Sequence, residues 1–169
     1  LLNTSQALVD WKRSHINTVL EPGETYFLLV DFSTGQRLFM GTDARLQNEL
    51  LSYPPEWYDT RMAKRDSDEK EAMDFLTATN NLRNKYMNEL QERIKQHSNL
   101  SQRYVDYLTG WYQAGLGMEL MQGRFSMKGL QVPQPYMDFV GKEIWQKRIR
   151  PYTLYTDFSI FKRDYIDQL

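Results

Sequence analysis

The sequence predicts a mainly α fold (α+β minor): a helical domain with one N-terminal β-hairpin packed on the helices. Apolar residues recur at helical spacing through two long segments, from about Asp66 to His97 and from about Gln102 to Gln122, the period of a helix with a covered side. Strand-like sequence is confined to one place, between Thr25 and Met40. No internal repeat is apparent, which excludes a solenoid. At 169 residues the chain is long enough for one domain and short for two. Residues 1–169 are therefore read as a single domain, with 152–169 as a docking tail.

Ser5 to Leu20 reads as a first helix, with Leu8, Trp11, Ile16, Val19 and Leu20 on one side and Asn3, Thr4 or Ser5 as caps. Glu21-Pro22-Gly23-Glu24 ends it, because proline lacks the donor and glycine tolerates the turn. Thr25 to Val30 is rich in aromatic and branched residues, and Arg37 to Met40 follows a connector holding Asp31, Ser33 and Gly35. That is hairpin chemistry. Two strands alone are marginal in water, so the hairpin's apolar face is expected to lie on helices. Thr42 caps a short helix to about Ser52 with Leu46, Leu50 and Leu51 inside, and Pro54-Pro55 starts another piece carrying Trp57, Tyr58 and Met62.

The longest predicted helix opens on Asp66 and Glu69, a variant capping box with an acidic first turn. Its stripe is Phe75, Leu82, Tyr86, Leu90 and Ile94, widened by Met73, Leu76 and Met87. Glu89 and Arg93 form an i,i+4 pair. Thr77, Thr79, Asn80 and Asn81 interrupt the stripe and predict a bend or a polar contact. After Ser98–Ser101, the helix to Gln122 carries Tyr104, Leu108, Trp111, Leu116 and Leu120 and is apolar around most of its circumference, which marks it as the buried central helix. Gly110, Gly115 and Gly117 each cost such a helix about 1 kcal/mol against alanine, so close packing is expected there. Following a Gly- and Pro-rich loop, Pro135 to Arg150 forms a helix with Tyr136, Phe139, Val140, Ile144 and Trp145 inside. Pro151 ends it, and Thr156 to Asp167 closes the chain with apolar residues at helical spacing.

Composition removes many chemistries. Lys plus Arg is 21 against 22 Asp plus Glu, without the basic excess of a general nucleic-acid binder. Cysteine is absent, which excludes disulfides, zinc–thiolate sites, iron–sulfur clusters and cysteine nucleophiles. A mean hydropathy of −0.66 and the lack of a long apolar run argue against a membrane span. His15 and His97 belong to no H-x-x-x-H or E-x-x-H pair, so a di-iron bundle fails; His97 reads as a cation at a helix end. The acidic run from Asp66 to Asp74 begins like an EF-hand loop but has Glu71 where the glycine belongs and Thr77 at the last ligand position. Gly115-Leu116-Gly117 lacks the third glycine of a dinucleotide fingerprint. Neither a phosphate-binding P-loop nor a nucleophile elbow occurs. Lys142, Lys147, Arg148 and Arg150 flank Trp145, but on a helix that tryptophan shares the side of Ile144 and points inward. Two N-x-S/T tripeptides, at Asn3 and Asn99, are read as helix caps before glycosylation acceptors. No catalytic, metal-ligating or cofactor-binding residue is assigned, and no cofactor is expected.

Eleven Tyr, eight Phe and four Trp exceed what one small core needs, and such residues suit interfaces. The leading expectation is a non-catalytic interaction protein, an accessory or scaffold subunit of a larger assembly. Its partner would be a protein or a second copy, with no nucleic acid, and Leu154, Phe158, Phe161 and Tyr165 on the tail would be the partner-binding stripe. The first alternative is a small-ligand sensor with a pocket between the hairpin and helix 102–122, lined by Trp111, Tyr112 and Met118. The second is an enzyme without a recognisable motif. The hairpin followed by helices resembles the opening of a PAS-type sensor, but the later strands of that family are missing and no family residue is carried over. The Leu1-Leu2 start, without a signal-peptide pattern, fits a processed or truncated chain. It leaves organelle import, export and the cytoplasm equally open.

Overall fold

The structure is a computed structural model that describes residues 19, 23–31, 33–55, 72–123, 132–147 and 156–168. Among them the order is β1 (Phe27–Val30), β2 (Arg37–Met40), α1 (Ala44–Ser52), α2 (Ala72–Gln96), α3 (Gln102–Gly123), α4 (Gln134–Phe139, running on as a π-helical turn, Val140–Trp145) and α5 (Thr156–Ile166). The protein is mainly α, with a two-stranded antiparallel hairpin. Of the predicted first helix only Val19 is described, and it is non-helical. The segment with Trp57, Tyr58 and Met62 and the capping pair Asp66 and Glu69 lie outside the described residues.

The hairpin forms where branched and aromatic residues flank a polar connector. Asp31 Oδ1 accepts the Ser33 N–H at 2.8 Å and the Ser33 hydroxyl at 2.6 Å, and Gly35 takes φ +73°, a left-handed conformation that costs glycine little. These bonds lower the Asp31 pKa to about 2. The carboxylate therefore supports the turn above its ordinary pKa of 3.8 and loses that role as pH falls toward 2.

Asp43 rather than Thr42 occupies the N-cap of α1, without a side-chain cap bond. Helix α1 fastens three pieces of chain. The Gln47 amide pairs with the backbone N–H and C=O of Val19. Asn48 pairs with the backbone of Phe39 at 2.8 and 2.9 Å. Glu49 accepts the Ser101 N–H at 2.8 Å, and Ser101 Oγ in turn accepts the Tyr104 N–H at 3.1 Å, so Ser101 caps α3.

Helix α3 is the centre. Leu108, Leu116 and Leu120 are wholly buried as predicted, whereas Trp111 is half-buried. Its most extensive contacts are with α5 and α2. On α2 the predicted stripe is inside through Leu90. Thr77 and Thr79 donate to the carbonyls of Met73 and Phe75 at 2.8 and 2.7 Å, so their hydroxyls are engaged by the helix itself. On α4, Tyr136, Val140 and Ile144 are buried, and the Tyr136 hydroxyl donates to the Leu120 carbonyl at 2.6 Å. Gly117 meets the Phe161 ring: a Cβ there would sit 2.9 Å from it and 3.0 Å from Ile144. The predicted close approach thus holds at Gly117, with side chains rather than backbone as the neighbours.

The tail corrects an expectation. Phe158, Phe161 and Tyr165 are 5%, 0% and 7% exposed, so this stripe does not face outward. It packs on α3 and around Trp145, whose ring stacks on Phe158 and Tyr165 at 6.3 and 5.3 Å. The reason is supply. A helix that is apolar on nearly all sides leaves uncovered surface after α2 and α4 have docked, and α5 covers it. Leu154 lies outside the described residues.

Candidate interaction surface

A β-strand sends successive side chains to opposite faces, and the hairpin's burial follows that alternation. Leu28 and Phe39 face inward and pack with Tyr26, Ala44 and Leu51 in a small cluster of their own. The neighbouring positions are also apolar, and they face solvent: Phe27 is 63% exposed, Leu29 54%, Leu38 47% and Met40 44%. The register sets Phe27 opposite Met40 and Leu29 opposite Leu38, so the four form two cross-strand pairs on one face. Such pairs touch and make a contiguous patch. Patches of a few hundred Å² are the largest that typical monomers expose and are often functional.

This face is not among the sites expected from sequence, because a hairpin on helices needs only one apolar side. The signal was present. Phe27-Leu28-Leu29-Val30 and Leu38-Phe39-Met40 are continuous apolar runs rather than alternating ones, the pattern of strands covered on both faces.

The residues expected to line a sensor pocket under the hairpin are not brought to it. Tyr112 is 2% exposed and stacks on Tyr86 of α2, with ring centres 5.3 Å apart. Trp111 and Met118 are half-buried against the same large core, while the hairpin's cluster is separate. The physical cause is α1, which lies between the hairpin and the bundle and is the helix that packs on β2.

A polar groove of about 680 Å³ runs along α2, lined by residues including Tyr53, Asn84, Asn88, Arg93 and His97. Tyr53, Arg93 and His97 at its end are tied into one network. The Tyr53 hydroxyl and His97 Nδ1 share a hydrogen bond at 3.1 Å, Arg93 donates to the Tyr104 hydroxyl at 2.9 Å, and that hydroxyl donates to the Tyr53 carbonyl at 2.8 Å. Burial raises the Tyr104 pKa, and the Arg93 bond partly offsets it. His97 thus closes α2 as a hydrogen-bonded partner of Tyr53. Among the described residues no group of His, Asp and Glu could hold a metal ion, and no helix is long and apolar enough to cross a membrane.

One carboxylate is held against its preference. Burial raises the pKa of Asp157, in the first turn of α5. The folded chain therefore binds that proton more tightly than the unfolded one. Stability is lost as pH rises from the ordinary value of 3.8 through the raised one, and regained on acidification. Asp157→Asn is expected to raise the melting temperature at neutral pH, with the gain over the parent shrinking as pH falls into the ordinary carboxylate range. Melting curves of both proteins across that range check it; a gain independent of pH would show that charge burial is not the cause.

Comparison with family models, curated proteins and solved structures finds no match for this chain.

Proposed function

We propose that this protein is a non-catalytic interaction protein, an accessory or scaffold subunit that docks through the outer face of its hairpin. The supporting observation is the set of four large apolar side chains, Phe27, Leu29, Leu38 and Met40, each more than two-fifths exposed and all on one face. Leaving them in water forgoes burial free energy of about 25 cal/mol per Å², and a surface that does so is suited to being covered by another. Met and Phe are also among the residue types enriched at interfaces. The hairpin is held at the β2 edge by Asn48 and packed from behind by α1, so the face is presented on a preformed support and binding it requires little ordering.

The test is site-specific photo-crosslinking in the native cell, with the reactive side chain at Leu38 and, as a control, at the exposed Gln91 on α2. The expected result is one dominant adduct from Leu38 that is absent from Gln91 and lost when Phe27→Lys is added. Equal trapping at both positions, or none at Leu38, overturns the reading.

A further inference from the structure

The two edges of the hairpin are not equivalent, and the difference bears on how the protein associates with itself. Both backbone polar groups of Phe39 bond the Asn48 amide, at 2.8 and 2.9 Å, so they point away from β1. In an antiparallel ladder this makes Leu28↔Phe39 a pair without mutual hydrogen bonds. The bond from the Asp31 N–H to the Gln36 carbonyl, at 2.9 Å, has the same phase. It follows that the N–H and C=O of Leu28, and those of Val30, point away from β2. The Asn48 side chain occupies the outer edge of β2 as a neighbouring strand would. Among the described residues no strand lies on the outer edge of β1.

Exposed edges are ordinarily guarded by a charge, a proline, a bulge or a covering segment. Thr25 to Val30 contains no charge, no proline and no glycine. We propose that β1 pairs with β1 of a second copy of this chain, antiparallel about a twofold axis at Leu28, giving a four-stranded sheet in the order β2–β1–β1–β2. The strand is self-complementary in that register. Leu28 meets itself as a hydrogen-bonded pair, Phe27 lies opposite Leu29 of the second copy on the outer face, and Tyr26 lies opposite Val30 on the inner face. The flanking Thr25 lies opposite Asp31, so no like charges meet. An isologous contact of this kind closes at two copies, and in each copy Asn48 already takes the outward groups of Phe39 in the middle of the other edge, β2. Four-residue strands bury little area, which places the dimer among weak, concentration-dependent contacts. The pairing would fuse the two outer faces into one platform, but it concerns the edge and holds whether or not a partner covers that face.

The test is analytical ultracentrifugation of the full chain from micromolar to millimolar concentration, with amide hydrogen exchange at both ends of the range. A reversible monomer–dimer equilibrium is expected. The Leu28 and Val30 amides should become protected only at high concentration, while Leu29, whose amide belongs to the ladder, is protected throughout. Leu28→Pro removes an outward donor and no ladder bond, and should weaken the dimer by about tenfold or more. Leu38→Thr with Met40→Thr, on the outer face of β2, should leave it unchanged. Should Leu28→Pro fail to fold, exchange in the unmodified chain decides alone. A chain that is monomeric throughout, or a dimer in which Leu28 exchanges equally at both concentrations, overturns the proposal.

Discussion

Phe161→Ala is expected to cost about 3–5 kcal/mol of stability, among the largest single effects available in this chain. Phe161 is fully buried, lies against Gly117, and contacts the rings of Phe158, Tyr165 and Trp145 at 5.7, 5.6 and 6.2 Å. Truncation removes the transfer free energy of the ring and leaves a cavity whose walls are held by three other aromatics, so relaxation is restricted. Denaturant titration checks it through a lower midpoint at unchanged slope. A loss below about 1 kcal/mol would mean that α5 detaches from α3 without disturbing the rest, returning the tail to the role of a separable docking segment.

Gly117→Leu should also be destabilising, by less and for the opposite reason. Glycine inside a helix costs about 1 kcal/mol against alanine, so propensity alone favours substitution. The geometry opposes it. A Cβ would meet the Phe161 ring at 2.9 Å and Ile144 at 3.0 Å, and both neighbours are themselves buried and packed. Overpacking typically costs about 1–3 kcal/mol, and a leucine carries three carbons beyond the clashing one, so the net sign is destabilising. Because Gly117 and Phe161 touch, the effects should couple. Phe161→Leu, which withdraws part of the ring, should recover some of the loss in a double-mutant cycle. Additive losses would show that the clash is relieved elsewhere.

Much of the helical framework was legible because periodicity is a local property. Leu108, Leu116 and Leu120 recur on one side of α3, and Phe75, Leu82, Tyr86 and Leu90 on one side of α2, whatever they pack against. Ser101 was legible as a cap for the same reason, since its bond is to a residue three positions on. The continuation of α4 as a π-helical turn was not. There Gly141 admits the Tyr165 hydroxyl, which would stand 2.9 Å from any Cβ, and Tyr165 arrives from α5, far along the chain. Nor was Arg93 as a donor to Tyr104 across two helices.

The candidate surface divides in the same way. Local sequence was enough to place a hairpin between Thr25 and Met40, to show both its strands as unbroken apolar runs, and to show that Thr25–Val30 carries no charge. Which of two apolar stripes ends up covered depends on long-range packing. The α5 stripe and the outer hairpin face are both apolar and both near an end of the helical bundle's sequence. One is buried and the other exposed because α3 had an uncovered side to offer α5, whereas α1 is a single short helix that covers one face of the hairpin and, through Asn48, one of its edges. Spacing specifies which side chains share a side. Whether that side meets protein or water depends on the apolar area that distant segments bring to it.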